Sequence, residues 1–221
     1  MPSLGSREKR FLLEVARRAL TAAVTPLEAT DLTAEVEADS SGSPARLDSI
    51  DSPELIDSIQ SFHAIEFGGT FVTLHRRGRL RGCIGQLDSH QTLADAVAHS
   101  AKGAALEDPR FAPVAPHELP EIDIEISVLS LFRDISLDNI EPGTHGLLVT
   151  RGSQRGLLLP QVASQFHWPA QKFLEETCVK AGLDRNAWKD PATKIEGFTA
   201  DVFSEEEVFA RQAAGPARPT A

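Results

Sequence analysis

Thr70-Phe71-Val72-Thr73-Leu74-His75 runs through Arg76-Arg77-Gly78-Arg79 into Leu80-Arg81-Gly82-Cys83-Ile84-Gly85. The first six residues are rich in β-formers. The next four are polar and contain a glycine, which makes a turn, so the whole stretch predicts a β-hairpin. Strand alternation sets Leu80, Gly82 and Ile84 on one face and Arg81, Cys83 and Gly85 on the other. A cation and a thiol are thereby expected side by side. A nearby guanidinium favours a thiolate, the reactive form of cysteine. Glycines weaken a strand interior, so Gly82 and Gly85 ask for a bulge, a tight bend, or the close approach of a ligand or another backbone. A lone cysteine beside glycines is also an ordinary feature of a packed core.

Downstream of the hairpin, Thr92 with Asp95 three residues on is a capping pair, and Leu93, Val97, Ala101 and Ala104 form the buried face of the helix that follows. Asp108-Pro109-Arg110-Phe111-Ala112-Pro113 is a rigid prolyl connection. Its Arg110 is either a second anion clamp or the partner of a local carboxylate such as Asp108. Ile122, Ile124, Ile126 and Val128 alternate with polar residues, a strand with Glu125 at its middle on the other face. His145-Gly146-Leu147-Leu148-Val149 opens a second hairpin, whose turn is Arg151 to Gly156 and whose return strand is Leu157 to Gln161. Pro169 and Gly182 bracket a helix from Trp168 to Ala181 with Cys178 on its apolar face. A last strand is expected near Ile195 to Phe203.

Upstream, Leu12, Val15, Ala16, Ala19 and Leu20 form one stripe of an amphipathic helix at 6–24, with Ser6 as its expected N-cap. A flexible acidic insert follows at about 25–58, with a short helical turn near Leu55 to Ile59. The main body spans about 60–208, and 211–221 reads as a disordered tail. Hairpins with helices at intervals predict an α+β fold, mainly antiparallel, flanked by helices.

The 221 residues are enough for one large domain or two small ones sharing a core. A net charge of −10 argues against bulk attraction to nucleic acid. Two cysteines, Cys83 and Cys178, are too few for a secreted disulfide scaffold. No run is a signal peptide or a membrane span, so the expected setting is the cytoplasm. No phosphate-binding loop, dinucleotide fingerprint, zinc-protease motif or nucleophile elbow is present, and no cofactor is expected.

Phe71-Val72-Thr73-Leu74, Leu80 to Gly85, Asp108-Pro109-Arg110-Phe111 and Glu125-Ile126-Ser127-Val128-Leu129-Ser130 together resemble the AMMECR domain family. Its prokaryotic members are called AmmeMemoRadiSam system protein A. His145-Gly146-Leu147, Gly156 to Gln161, Lys180-Ala181-Gly182-Leu183 and Phe203-Ser204-Glu205 continue the likeness in order. The resemblance covers the N-terminal helix and about 67–207. It implies a larger and a smaller subdomain with a cleft between them, and partnership with a Memo-like protein and a radical SAM protein. It brings no established reaction.

Three functions follow as expectations. In the first, Cys83 is a nucleophile, His145 its base, Glu125 the group that orients the imidazole, and Arg81 the holder of an anionic substrate or oxyanion. In the second, Arg81, Gly82, Gly85 and Arg110 grip a small anionic molecule without catalysis. In the third, Cys83, His145 and Glu125 ligate zinc or iron.

Overall fold

The computed structural model describes residues 4–25, 65–87 and 91–213. The expected insert from 26 onward, with the helical turn at 55–59, and the tail beyond 213 lie outside them. The elements are α1 (Ser6–Val24), β1 (Gly69–Arg76), β2 (Arg79–Gln86), α2 (Leu93–Leu106), β3 (Ile122–Leu129), β4 (Arg133–Asp134), β5 (Gly146–Arg151), β6 (Gln154–Leu158), α3 (Pro160–Gln165), α4 (Ala170–Lys180), β7 (Lys194–Phe198), β8 (Ala200–Ser204) and α5 (Glu205–Ala213). They form two four-stranded sheets, β2-β1-β3-β8 and β4-β7-β5-β6, in which every strand pair is antiparallel. The α+β expectation holds.

The hairpin forms because Arg77 and Gly78 both take left-handed backbone, at φ 52° and 73°. That is the two-residue turn whose twist matches paired strands. Val72 and Leu74 of β1 and Ile124, Ile126 and Val128 of β3 then point to one face, where α1 and α2 bury them with Leu12, Leu13, Ala16 and Val97. Thr92 caps α2 as expected, its hydroxyl accepting the Asp95 N–H at 3.2 Å. The N-cap of α1 is Gly5 rather than Ser6, and the Glu8 carboxylate turns back to take the Gly5 N–H.

The second sheet has its own core. Leu147 and Val149 of β5 meet Phe173, Leu174 and Cys178 of α4. This helix is bracketed as its sequence indicates, with Gly182 at φ 75° just past its end. Each sheet has one glycine that lets a helix lie directly on it. A Cβ on Gly82 would strike the Ala104 carbonyl of α2, and one on Gly156 would strike the Ala181 backbone after α4.

Three expectations need correction. Leu157 to Gln161 is not all strand, because β6 ends at Leu158 and Pro160 begins α3; proline at a first helical position suits the missing N–H. Ile195 to Phe203 is not one strand. The chain changes sheets at Thr199, so β7 lies in the second sheet and β8 in the first. The tail does not begin at 211, because α5 runs to Ala213. The strands of the second sheet, β4 to β7, are thus contiguous in sequence and sit between β3 and β8. At the crossing, Ser130 N–H donates to the Thr199 carbonyl at 2.9 Å, and Thr199 N–H donates to Ser130 Oγ at 3.0 Å.

Candidate functional site

Cys83 lies on β2, an edge strand, with its partner Thr73 on β1 and Glu125 beyond on β3. Directly paired residues share a face, so Cys83, Thr73 and Glu125 form one row across the side of the sheet away from α1 and α2. Thr73 Oγ1 donates to Cys83 Sγ at 3.3 Å. The edge N–H of Cys83 donates to Asp108 Oδ2 at 2.8 Å. Asp108 is buried and holds Arg110 through Nε at 2.9 Å and Nη2 at 2.7 Å. That bidentate guanidinium, together with the backbone N–H groups of Cys83 and Arg110, drives the Asp108 carboxyl well below the usual carboxylate range against the opposing cost of burial. Arg110 itself remains 55% exposed and lies near Cys83, whose N–H shares the same Asp108 oxygen.

Arg81 is elsewhere engaged. The β1–β2 register shifts between Leu74 and His75, and Arg81 is the unpaired residue opposite the shift. Its guanidinium binds Glu118 through Nε at 2.9 Å and Nη2 at 2.8 Å, and also donates to the carbonyls of Ala112 and Pro113. Arg76 shares Glu118 at 2.8 Å. These contacts, Arg81 foremost, hold the Glu118 carboxyl down at about 2. The bulge has broken the simple alternation that would set Arg81 beside Cys83, and Arg110 supplies the neighbouring cation instead. Gly82 and Gly85 serve packing: Gly82 admits the backbone of α2, and Gly85 lies under the Phe71 ring.

His145 is not part of the row. It stands before β5 in the other sheet, where its N–H donates to the Glu141 carbonyl at 2.9 Å and its Nδ1 accepts the Glu141 N–H at 3.1 Å. The imidazole closes the turn through Pro142 and Gly143. It also lines a pocket together with Ser130. Ser130 lies five residues along from Glu125, a strand distance of roughly 17 Å. Cys83, Glu125 and His145 therefore make neither a triad nor a ligand set. Among the described residues no three His, Cys, Asp or Glu side chains gather as a metal ion requires.

The histidine on the face of Cys83 is His75. It is two residues along β1 from Thr73 and opposite Asp123, a diagonal neighbour of both Cys83 and Glu125 within reach of long side chains. Burial pushes the Glu125 carboxyl up, Glu207 and Asp123 add to the rise, and His75 opposes it. The sequence did carry the signal for His75: it alternates with Thr73 and Phe71 on the polar side of β1. Nothing local marks Asp108 as the group that fixes Cys83.

A family model, AMMECR1, matches residues 13–203. The chain belongs to the AMMECR1 family. A family relative in Methanothermobacter thermautotrophicus is 46% identical over 145 residues, covering 62% of this chain and 76% of that protein. One in Thermococcus kodakarensis is 43% identical over 149 residues, covering 62% and 73%. The crystal structure of an uncharacterised Pyrococcus horikoshii protein superposes with a TM-score of 0.70 at 33% identity, covering 93% of this chain and 95% of that one. The AMMECR1 fold of this chain thus has a counterpart in a solved structure. Among the described residues no helix is long and apolar enough to cross a membrane.

Proposed function

We propose that this AMMECR1 protein is a cysteine-dependent enzyme acting on a small anionic substrate, with Cys83 as nucleophile. The observation that carries the reading is the half-buried Cys83 thiol itself. It receives the Thr73 hydroxyl at 3.3 Å and has the Asp108-anchored Arg110 guanidinium beside it. The hydroxyl donor fixes the sulfur in place, and the guanidinium beside it offers an anionic group a charge-assisted contact. His75 takes the role first expected of His145, as the base on the same face, and Glu125 acts on that imidazole. Arg110 takes the role first expected of Arg81, binding the substrate's anionic group. In acyl transfer, the thiol proton passes to His75 as sulfur bonds to the carbonyl carbon. The leaving group departs with that proton, and water then cleaves the thioester. The family resemblance supports joint work with a Memo-like protein and a radical SAM protein.

The test follows alkylation of Cys83 by iodoacetamide, read by mass spectrometry. His75→Ala should slow the reaction at neutral pH several-fold, while His145→Ala leaves it unchanged. The reverse pattern would sink the assignment of His75. A Cys83→Ser protein that keeps full turnover on any substrate found for the unaltered chain would end the enzyme reading and leave anion binding at Arg110.

A further inference from the structure

The pocket that contains His145 has no part in the chemistry at Cys83. Its volume, about 350 Å³, suits a small metabolite. It opens where the two sheets meet, lined by Glu66 from ahead of β1 and by Arg133 of β4 and His145 from the second sheet. Among the described residues, Arg133 and Glu66 have no ion-pair or hydrogen-bond partner for their side chains. His145 spends only Nδ1, on the Glu141 N–H. With Nδ1 accepting, the neutral ring carries its proton on Nε2, so the unspent nitrogen is a donor. The wall therefore offers two donors, one of them cationic, and a separate carboxylate. Ile135 and Phe198 add apolar groups to the same lining.

A purely anionic ligand would meet Glu66 and also Asp134, which is 83% exposed and only loosely drawn to Lys194 at 3.8 Å. A purely cationic ligand would meet Arg133. A molecule with both charges and an apolar body satisfies all three features at once. We propose that this pocket binds a small zwitterion of the α-amino-acid class with an apolar side chain. Its carboxylate rests on Arg133 and His145, its ammonium on Glu66, and its side chain on Ile135 and Phe198. The site is independent of the reading of Cys83 and stands if that reading fails.

The full chain, titrated with L-leucine and followed by amide NMR, tests this. Two single-charge analogues, isocaproate (no ammonium) and isoamylamine (no carboxylate), are titrated in parallel. Leucine should shift the Gly197 and Thr199 amides saturably, and each analogue should bind at least about tenfold more weakly, the loss of one charged contact. Arg133→Gln should weaken leucine about tenfold. Glu66→Gln should narrow the gap between isocaproate and leucine, because one of the two carboxylates that repel isocaproate, and the partner of the leucine ammonium, is gone. Isocaproate binding the unaltered protein as tightly as leucine would make this an anion site, and isoamylamine doing so a cation site. Either result overturns the proposal, as does the absence of saturable shifts with all three compounds.

Discussion

The two sheets are built alike and used differently. Each has four antiparallel strands, a helix-backed apolar face, a glycine under that helix, and one cysteine. Cys178 lies on the helix and is fully buried in the core of the second sheet, where burial pushes its thiol up. Cys83 lies on an edge strand of the first sheet, on the face away from the helices. The same side chain is packing material in one unit and partly exposed on an open face in the other. The difference arises from position within the layer: a helix's inner stripe has no route to water, whereas an edge strand always has one.

The sharpest way to break this comparison is differential alkylation. Cys178 can react only after local or global opening, so Cys83 should be labelled faster by a factor on the order of 10³. Comparable rates, read by peptide mass spectrometry, would show that the second core opens freely. Next in size are the two glycines. Gly82→Ala and Gly156→Ala should each cost about 3 kcal/mol, because the new methyl meets helix backbone that cannot yield locally. Urea titrations with one probe in each sheet would measure both. If each variant destabilises only its own sheet, the units unfold separately; equal loss at both probes makes them one cooperative unit.

A smaller effect separates the sheets by pH. Glu118, 7% exposed and paired with Arg81 and Arg76, belongs to the first unit alone. Its folded value of about 2 lies below its ordinary 4.5. A depressed carboxyl adds stability above its unfolded pKa and loses that contribution as pH falls through the folded one. The first sheet should therefore weaken between about pH 4.5 and 2. Glu118→Gln should cost about 2 kcal/mol at neutral pH, by leaving Arg81 without its charge partner, and should flatten that acid slope. An unaltered acid slope in the variant would place the titration elsewhere. The smallest effect is expected from Thr73→Val. Stability should stay within about 0.5 kcal/mol, while Cys83 alkylation slows by roughly fivefold through loss of one hydrogen bond to sulfur. An unchanged rate would reduce Thr73 to a spacer.

Most of this architecture was legible from local chemistry. Ile122 to Val128 alternates strictly, Arg77-Gly78 permits the tight turn, and Pro169 and Gly182 frame their helix. What escaped depends on groups distant in the chain. Phe198, Ala200 and Val202 alternate without interruption, and no turn residue marks Thr199; the change of sheet there is held by contacts distant in sequence, among them the two hydrogen bonds to Ser130. The candidate site was legible in part. Cys83 and Glu125 do share a face, because both neighbour Thr73 in register. The bulge that turns Arg81 to Glu118 falls beside Gly82, whose presence in a strand allowed a bulge but equally a bend or a close approach, and nothing local chose between them. His145 looked like a catalytic base from its place beside Gly146, but the Glu141 amide that occupies its Nδ1 is a feature of the folded turn.

The crossing at Ser130 and Thr199 also bears on how the chain is made. On the ribosome, β1, β2 and β3 emerge together and can pair at once. The outer edge of β3 then stays bare while all of β4 to β7 is synthesised, since its partner β8 comes last. The second sheet is contiguous and can close by itself during that interval, bringing its two ends together. It thereby acts as a clasp, converting a distant strand pairing into a local one and shortening the loop that β8 must close to cover β3.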